Sequence, residues 1–192
     1  MTTPNSTTEP DVVDLLLQQH DQIKSMFAQL QTTTGTAKRD LFDELVRLLA
    51  VHESAEESVV HPMAKRELDD GEQVVDRRLA EEDEAKKELA ELYDMGVDNP
   101  EFDRRLVTFA AAVVEHATHE ENEEFLRLRA SVDADKLRRM AGALKAAEAA
   151  APTRPHANAP ESAAGNLMAA PVLGVFDRAR DAVRDWHKKN QD

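Results

Sequence analysis

Residues 102–120 read FDRRLVTFAAAVVEHATHE, and the spacing within this stretch decides the fold. Phe102, Leu106, Phe109 and Val113 recur at steps of three and four, which puts them on one face of an α-helix. His116 and Glu120 continue the same step, so the stripe that should face a core ends in an imidazole and a carboxylate.

Three earlier stretches repeat this pattern. Between Asp11 and Leu30 the apolar stripe is Val13, Leu16, Ile23, Phe27 and Leu30, and His20 sits on it. After the break at Thr32, Thr33, Thr34 and Gly35 comes a second stripe, Leu41, Leu45, Leu48 or Leu49, Val59 and Met63, with His52 and Glu56 in phase. Pro62 is read here as tolerated within that helix, which stops at Asp69, Asp70 and Gly71. A third stripe follows, Val75, Leu79, Leu89 and Tyr93, whose missing core steps are filled by Glu82 and Lys86. Polar turns, the last over residues 96–100, separate the four amphipathic segments, and the chain is expected to form an all-α, up-down-up-down four-helix bundle over 10–130. Ala and Pro dominate after about residue 140, so 131–160 reads as a linker. Val172, Val175, Phe176, Ala179, Val183 and Trp186 then suggest an amphipathic helix in a C-terminal extension, 161–192, that docks on the bundle or on a protein partner.

Composition agrees with this reading and excludes several chemistries. The 192 residues are 41% hydrophobic but only 4% aromatic, and Ala, Leu and charged residues outweigh the β-branched runs that build sheets. A net charge of −14 opposes phosphate backbones and anionic membrane surfaces, so no nucleic-acid or membrane partner is expected. There is no cysteine, which removes thiolate zinc sites, iron–sulfur clusters and Cys nucleophiles. Any metal must be held by His and carboxylates. The polar start, Met1 to Pro10, resembles no targeting segment, and a cytoplasmic location is expected.

A His and a Glu four residues apart share a helical face, so His52 with Glu56 and His116 with Glu120 each present two ligands to one point. His20, His52, Glu56, Glu82, His116 and Glu120 all fall where their helices otherwise bury Leu, Val or Phe. Ionised carboxylates in a low-dielectric interior are costly unless paired, and cations between three Glu and three His would satisfy them. The donor set suits iron or manganese better than copper. The bland alternative is that buried His–Glu pairs only fix helix register.

The order His20, then His52-Glu-Ser-Ala-Glu56-Glu, then Glu82-Asp-Glu-Ala-Lys-Lys, then His116-Ala-Thr-His-Glu120-Glu resembles the hemerythrin-like HHE cation-binding domain over roughly residues 10–130. The tail segments Pro152-Thr-Arg-Pro-His156 and Asp177-Arg-Ala-Arg-Asp181 look like an extension found in actinobacterial members. The resemblance implies a non-haem centre of two iron ions, oxo- or hydroxo-bridged and carboxylate-bridged. His20, His52 and His116 would be terminal ligands, and Glu56 and Glu120 the bridging carboxylates. The third helix departs from the family, with Glu82 where members usually place a His and Lys86 where oxygen carriers place another. Extra carboxylate charge favours the ferric state and argues against reversible oxygen carriage.

Neighbouring side chains are expected to play lesser parts. His61 lies nine residues from His52, half a turn out of phase on a regular helix, so ligation is not expected of it. Glu57 and Glu121 are read as solvated or as groups that orient an imidazole, and Tyr93 as core or site edge. The leading functional reading is a di-iron protein that reacts with hydrogen peroxide, dioxygen or nitric oxide, with catalase-like dismutation foremost. A non-catalytic iron-binding or redox-sensing module and a metal-free structural bundle are the alternatives.

Overall fold

The computed structural model describes residues 9–153. Within them the chain forms α1 (Val12–Leu30), α2 (Gly35–Val59), α3 (His61–Glu67), α4 (Gly71–Met95), α5 (Phe102–His119), a π-helical segment (Glu120–Phe125), α6 (Leu126–Ser131) and α7 (Ala134–Ala150). The last turns of α1, the first of α2, the last of α4 and the first of α5 meet at one end of the molecule, where Phe27 packs on Phe109 and Phe42 on Phe102. The four long helices therefore alternate in direction, as the short polar turns required. No helix among the described residues is long and apolar enough to cross a membrane.

Local chemistry sets the ends of these helices. Asp11 caps α1, accepting from the backbone N–H of Asp14 while Asp14 accepts in return from Asp11. Gly96 closes α4 with φ +75°, a conformation that L side chains rarely adopt. Gly71 opens α4 against the backbone of α3, where a β-carbon would lie 2.2 Å from the Ala64 carbonyl oxygen.

The core falls into two apolar clusters. One gathers Ile23, Phe27, Leu45, Leu49, Leu92, Phe102 and Phe109 around the aromatic end. The other gathers Val12, Leu16, Ala55, Val75, Phe125 and Leu128. Between the two lies a layer of buried His and Glu.

Two expectations need correction. The second helix does not run through Pro62: α2 ends at Val59, and Pro62 stands in the first turn of the separate helix α3. Proline cannot supply the N–H that a continuing helix needs, and its ring clashes with the preceding turn. The linker assigned to 131–160 is also overturned for 134–150. Asp133 caps α7 by accepting from the N–H groups of Asp135 and Lys136. Leu137, Met140 and Leu144 are buried in the second apolar cluster. Ala is the strongest helix former, so an Ala-rich stretch with an apolar stripe is a helix rather than a spacer. The helix expected in 161–192, like His156 and His187, lies outside the described residues.

Candidate metal centre

Each of the helices α1 to α5 contributes to the polar layer, and so does the π segment. Helix α1 supplies His20, α2 supplies His52, Glu53 and Glu56, α3 supplies His61, α4 supplies Glu82, α5 supplies His116, and the π segment supplies Glu120. Three groups of donors converge: His20, His52, Glu56 and Glu120; His61, Glu82 and Glu120; and Glu53, Glu82 and His116, each with one donor atom per residue within 4.8 Å of the rest. Glu120 and Glu82 each belong to two groups, so the three are one continuous site. All six residues expected from the sequence are brought together.

The sequence reading missed two members of this layer. His61 is buried, with Nε2 2.7 Å from Glu82 Oε1. It was excluded on the assumption of a regular helix, and the break at Val60 voids that assumption. The His61-Pro62 dipeptide was the signal for it. Glu53 adjoins His52 and lies one residue off the inward stripe, with Oε2 3.9 Å from His116 Nε2. No spacing argument singled it out.

The four imidazoles share one orientation. Their Nδ1 atoms face outward to Glu121 (His20, 2.9 Å), Gln19 (His52, 2.8 Å), Glu124 (His61, 3.0 Å) and Glu81 (His116, 2.9 Å). A carboxylate only accepts, so each of these rings except that of His52 is held with its proton on Nδ1. The inward Nε2 atoms face carboxylates at 3.3 Å (His20 to Glu120), 3.2 Å (His52 to Glu56) and 3.3 Å (His116 to Glu120). Glu81 is itself held by the buried guanidinium of Arg78 at 2.9 Å. Glu121 thus orients an imidazole as expected, whereas Glu57 is buried 3.5 Å from Lys86. Tyr93 packs with the aromatic-end cluster rather than with the ligand groups. His119 is partly exposed and bonds to the outer face of Glu81.

The π segment matters for this arrangement. Its wider turn keeps Glu120, Glu124 and Phe125 all buried, while the intervening Glu121 still reaches His20.

Without a cation, protons would have to balance the layer. Burial and then the neighbouring His20 imidazole push His52 down to about 3, so its ring is neutral. Burial opposes charging of His116, yet the Glu120 carboxylate outweighs it and raises the imidazole to about 12. His61 is likewise raised, against burial, by Glu82 and Glu124. Burial and the adjacent Glu82 carboxylate raise Glu53, while burial and Glu120 raise Glu56. Glu120 is lowered, against burial, by His116. Glu56 Oε1 and Oε2, Glu120 Oε1 and Oε2, Glu82 Oε2, Glu53 Oε2, His20 Nε2 and His116 Nε2 are all buried without a hydrogen-bond partner. Such a set of inward lone pairs fits divalent or trivalent cations, whose binding would displace the protons. Beside it lies a cavity of about 10 Å³ between His20, His52 and His116, walled by Ile23, Leu49 and Val113.

Comparison with known proteins follows the same lines. The hemerythrin HHE cation-binding domain matches residues 11–128. A DNA nickase of Nostoc sp. is 24% identical over 139 residues, covering 72% of this chain, and the chain spans 39% of that protein's length. A crystal structure of a hemerythrin HHE cation-binding domain-containing protein from Mycobacterium kansasii aligns with a TM-score of 0.63 at 17% identity. It covers 72% of this chain and 85% of that one, and it bears on the fold alone.

Proposed function

This chain belongs to the hemerythrin HHE cation-binding domain family, and from that premise we propose that it binds a non-haem pair of iron ions and dismutates hydrogen peroxide. One site would use His20, His52, Glu56 and Glu120, and the other His61, His116 and Glu82, with Glu120 shared and Glu53 at the margin. The observation that carries this reading is the set of buried, unpartnered nitrogen and oxygen atoms turned inward from the helices. A metal-free structural bundle would leave that cost unanswered.

Bound iron would supply an electrophilic centre and a reversible change of oxidation state. The chain's own residues do the rest. Outward bonds from Nδ1 keep the Nε2 lone pairs aimed at the site. Ile23, Leu49 and Val113 wall a cavity of about 10 Å³, close to the room a single water needs, so these side chains would have to open slightly for peroxide and would exclude bulky organic substrates. Glu53 lines the same cavity with Oε2 3.9 Å from His116 Nε2, where a carboxylate can take and return a proton. Two peroxide molecules give two waters and one dioxygen, so peroxide serves as oxidant and reductant and no other electron donor is needed. His61 restores an imidazole that the third long helix lacks, but Glu82 still adds negative charge and favours the ferric state. DNA nicking, the activity in the name of the Nostoc relative, is not proposed, because a net charge of −14 opposes a phosphate backbone.

The test is metal analysis followed by oxygen evolution from peroxide. About two irons per chain are expected, and less than about half an iron after reconstitution rejects the centre. Iron-loaded protein should evolve oxygen above the rate of free iron. Glu82→His should slow turnover and lengthen the life of an oxygen adduct. A wild-type adduct that releases oxygen under vacuum would reject dismutation in favour of carriage.

A further inference from the structure

The outward partners of the four imidazoles differ in one respect. His20, His61 and His116 are oriented by Glu121, Glu124 and Glu81, all within the matched residues 11–128. His52 is oriented by Gln19, an amide, which can present either its oxygen or its nitrogen. What decides between them lies beyond the matched domain. Gln19 Nε2 donates to Glu148 Oε1 at 2.6 Å, and Glu148 belongs to α7.

The logic of donors and acceptors then runs inward. A carboxylate accepts only, so Glu148 must face the nitrogen of the Gln19 amide. The amide oxygen is thereby turned to His52, 2.8 Å from Nδ1, which must carry the proton. His52 Nε2 is left as a bare lone pair, 3.2 Å from Glu56 Oε2 in the ligand layer. Were Gln19 reversed, its N–H would face Nδ1, and the proton would sit on Nε2, where it blocks ligation.

We propose that α7 is a positioning element for the metal centre, in which Glu148 fixes the Gln19 amide, Gln19 fixes the His52 ring, and docking of α7 and metal binding therefore strengthen each other. The inference rests on the iron-centre reading above. It gives a role to a helix outside the matched domain that buries Leu137, Met140 and Leu144 against α1 and α2 yet contributes no ligand of its own. Linkage makes the effect reciprocal: whatever factor docked α7 adds to metal affinity, bound metal adds to the docking of α7.

The experiment compares the wild-type chain with Gln19→Leu, Gln19→Glu, Glu148→Ala and Glu148→Gln. Each is titrated anaerobically with ferrous iron, and with cobalt(II) for its visible spectrum. Hydrogen exchange of peptides from 134–150 is then followed with and without cobalt(II). Gln19→Leu removes the acceptor for His52 and should weaken metal binding by roughly 10–100-fold, with an altered cobalt spectrum. Glu148→Ala should weaken it by a smaller factor, and Glu148→Gln, which keeps an acceptor for the Gln19 amide, should restore most of it. Gln19→Glu keeps an acceptor for His52 but repels Glu148, so metal affinity should persist while α7 loses its metal-dependent protection. The last two variants preserve side-chain shape and keep the test open if either truncation misfolds. Wild type that takes up neither metal overturns the iron-centre reading and the relay with it. Wild type that binds metal, with Gln19→Leu binding equally well or with α7 exchange indifferent to metal, overturns the relay alone.

Discussion

The two apolar clusters flank the same polar layer, but they are built differently. At the aromatic end, α1, α2 and α5 meet through edge-to-face pairs, Phe42 on Phe102 at 4.9 Å and Phe27 on Phe109 at 5.8 Å, and α4 joins them through Leu89 and Leu92. At the other end the chain departs from regularity three times. Helix α2 gives way to α3 at Val60, α5 widens into the π segment, and α7 lies across α1 and α2. Those departures lie beside His61, Glu120 and His52 of the polar layer. Regular helices already bring His20, His52, Glu56, Glu82 and His116 to one layer through same-face steps, and the breaks add His61 from α3 and set Glu120 in the π segment. One end is built on aromatic packing, and the other places the side chains of the polar layer.

This contrast can be broken by substitutions that remove similar volume from each end. Phe102→Ala, at a fully buried position, should cost about 3–5 kcal/mol of stability while metal content per folded molecule stays constant. Leu128→Ala, equally buried at the irregular end, should cost about 2–5 kcal/mol and also lower metal content. Urea titration and metal analysis on both variants give the comparison. If Phe102→Ala loses metal as readily as Leu128→Ala, the division of labour is wrong.

Metal itself should act unevenly on the two ends. At free iron about 100 times its dissociation constant, linkage adds about 2.7 kcal/mol to the folded state. For a chain of this length the melting temperature should rise by roughly 5–11 °C. The added protection from hydrogen exchange should concentrate in α3, the π segment and α7. Equal gains around Phe42 and Phe102 would mean that the ions merely stabilise the whole bundle.

The same division explains what the sequence made legible. At the regular end an apolar stripe with a period near 3.6 is enough, so Phe102, Leu106, Phe109 and Val113 were found at once, and the stripe carried on to His116 and Glu120. His61 was lost because its phase was counted from His52 through a helix that stops first. Pro62 held that information in its missing N–H, and it was outweighed by the continuing pattern of Val59 and Met63. Helix α7 was lost for a different reason. Its Ala content resembled a spacer, although Asp133 and the spacing of Leu137, Met140, Ala141 and Leu144 carry a cap and a stripe. The π segment has no comparable mark in Glu-Glu-Asn-Glu-Glu-Phe, because its wider turn is a tertiary compromise around Glu120, Glu124 and Phe125.

A smaller change tests the corner that delivers His61. Gly71→Ala would set a β-carbon 2.2 Å from the Ala64 carbonyl oxygen, and backbone at that point cannot swing aside as a flexible side chain could. Pushing α3 from α4 should cost about 1–3 kcal/mol and move His61 away from Glu82. Metal uptake should fall, with the signals of Phe42 and Phe102 unchanged in the proton NMR spectrum. Full uptake by Gly71→Ala would show that His61 is not needed to hold metal.

The smallest effect is electrostatic and belongs to the seam between α1 and α6. Arg129 donates through Nη2 to Asp11 Oδ1 at 2.9 Å and through Nε to Oδ2 at 3.3 Å, joining the start of α1 to the end of the helix that follows the π segment. Burial acts to raise the Asp11 carboxyl, but the Arg129 hydrogen bond and the Asp14 N–H outweigh it and hold the group below its ordinary value of 3.8. Asp11→Asn keeps an oxygen to cap Asp14 and removes the Asp11 charge, while Arg129 keeps its pairing with Asp14, so it isolates the Asp11 half of the clamp, worth about 0–1 kcal/mol at a surface. A carboxyl lowered by folding contributes its stability in full above its unfolded value and loses it as pH falls through the lower, folded value. In metal-free protein, the stability difference between wild type and Asp11→Asn should therefore be constant from about pH 7 to about pH 5 and shrink once the pH drops below 3.8. Urea titrations of the two proteins across that range measure it. A difference that ignores pH would assign the effect to packing at the helix start, and one that grows in acid would reverse the sign of the Asp11–Arg129 pairing and leave Asp14 as the charged partner of Arg129 at the α1–α6 seam.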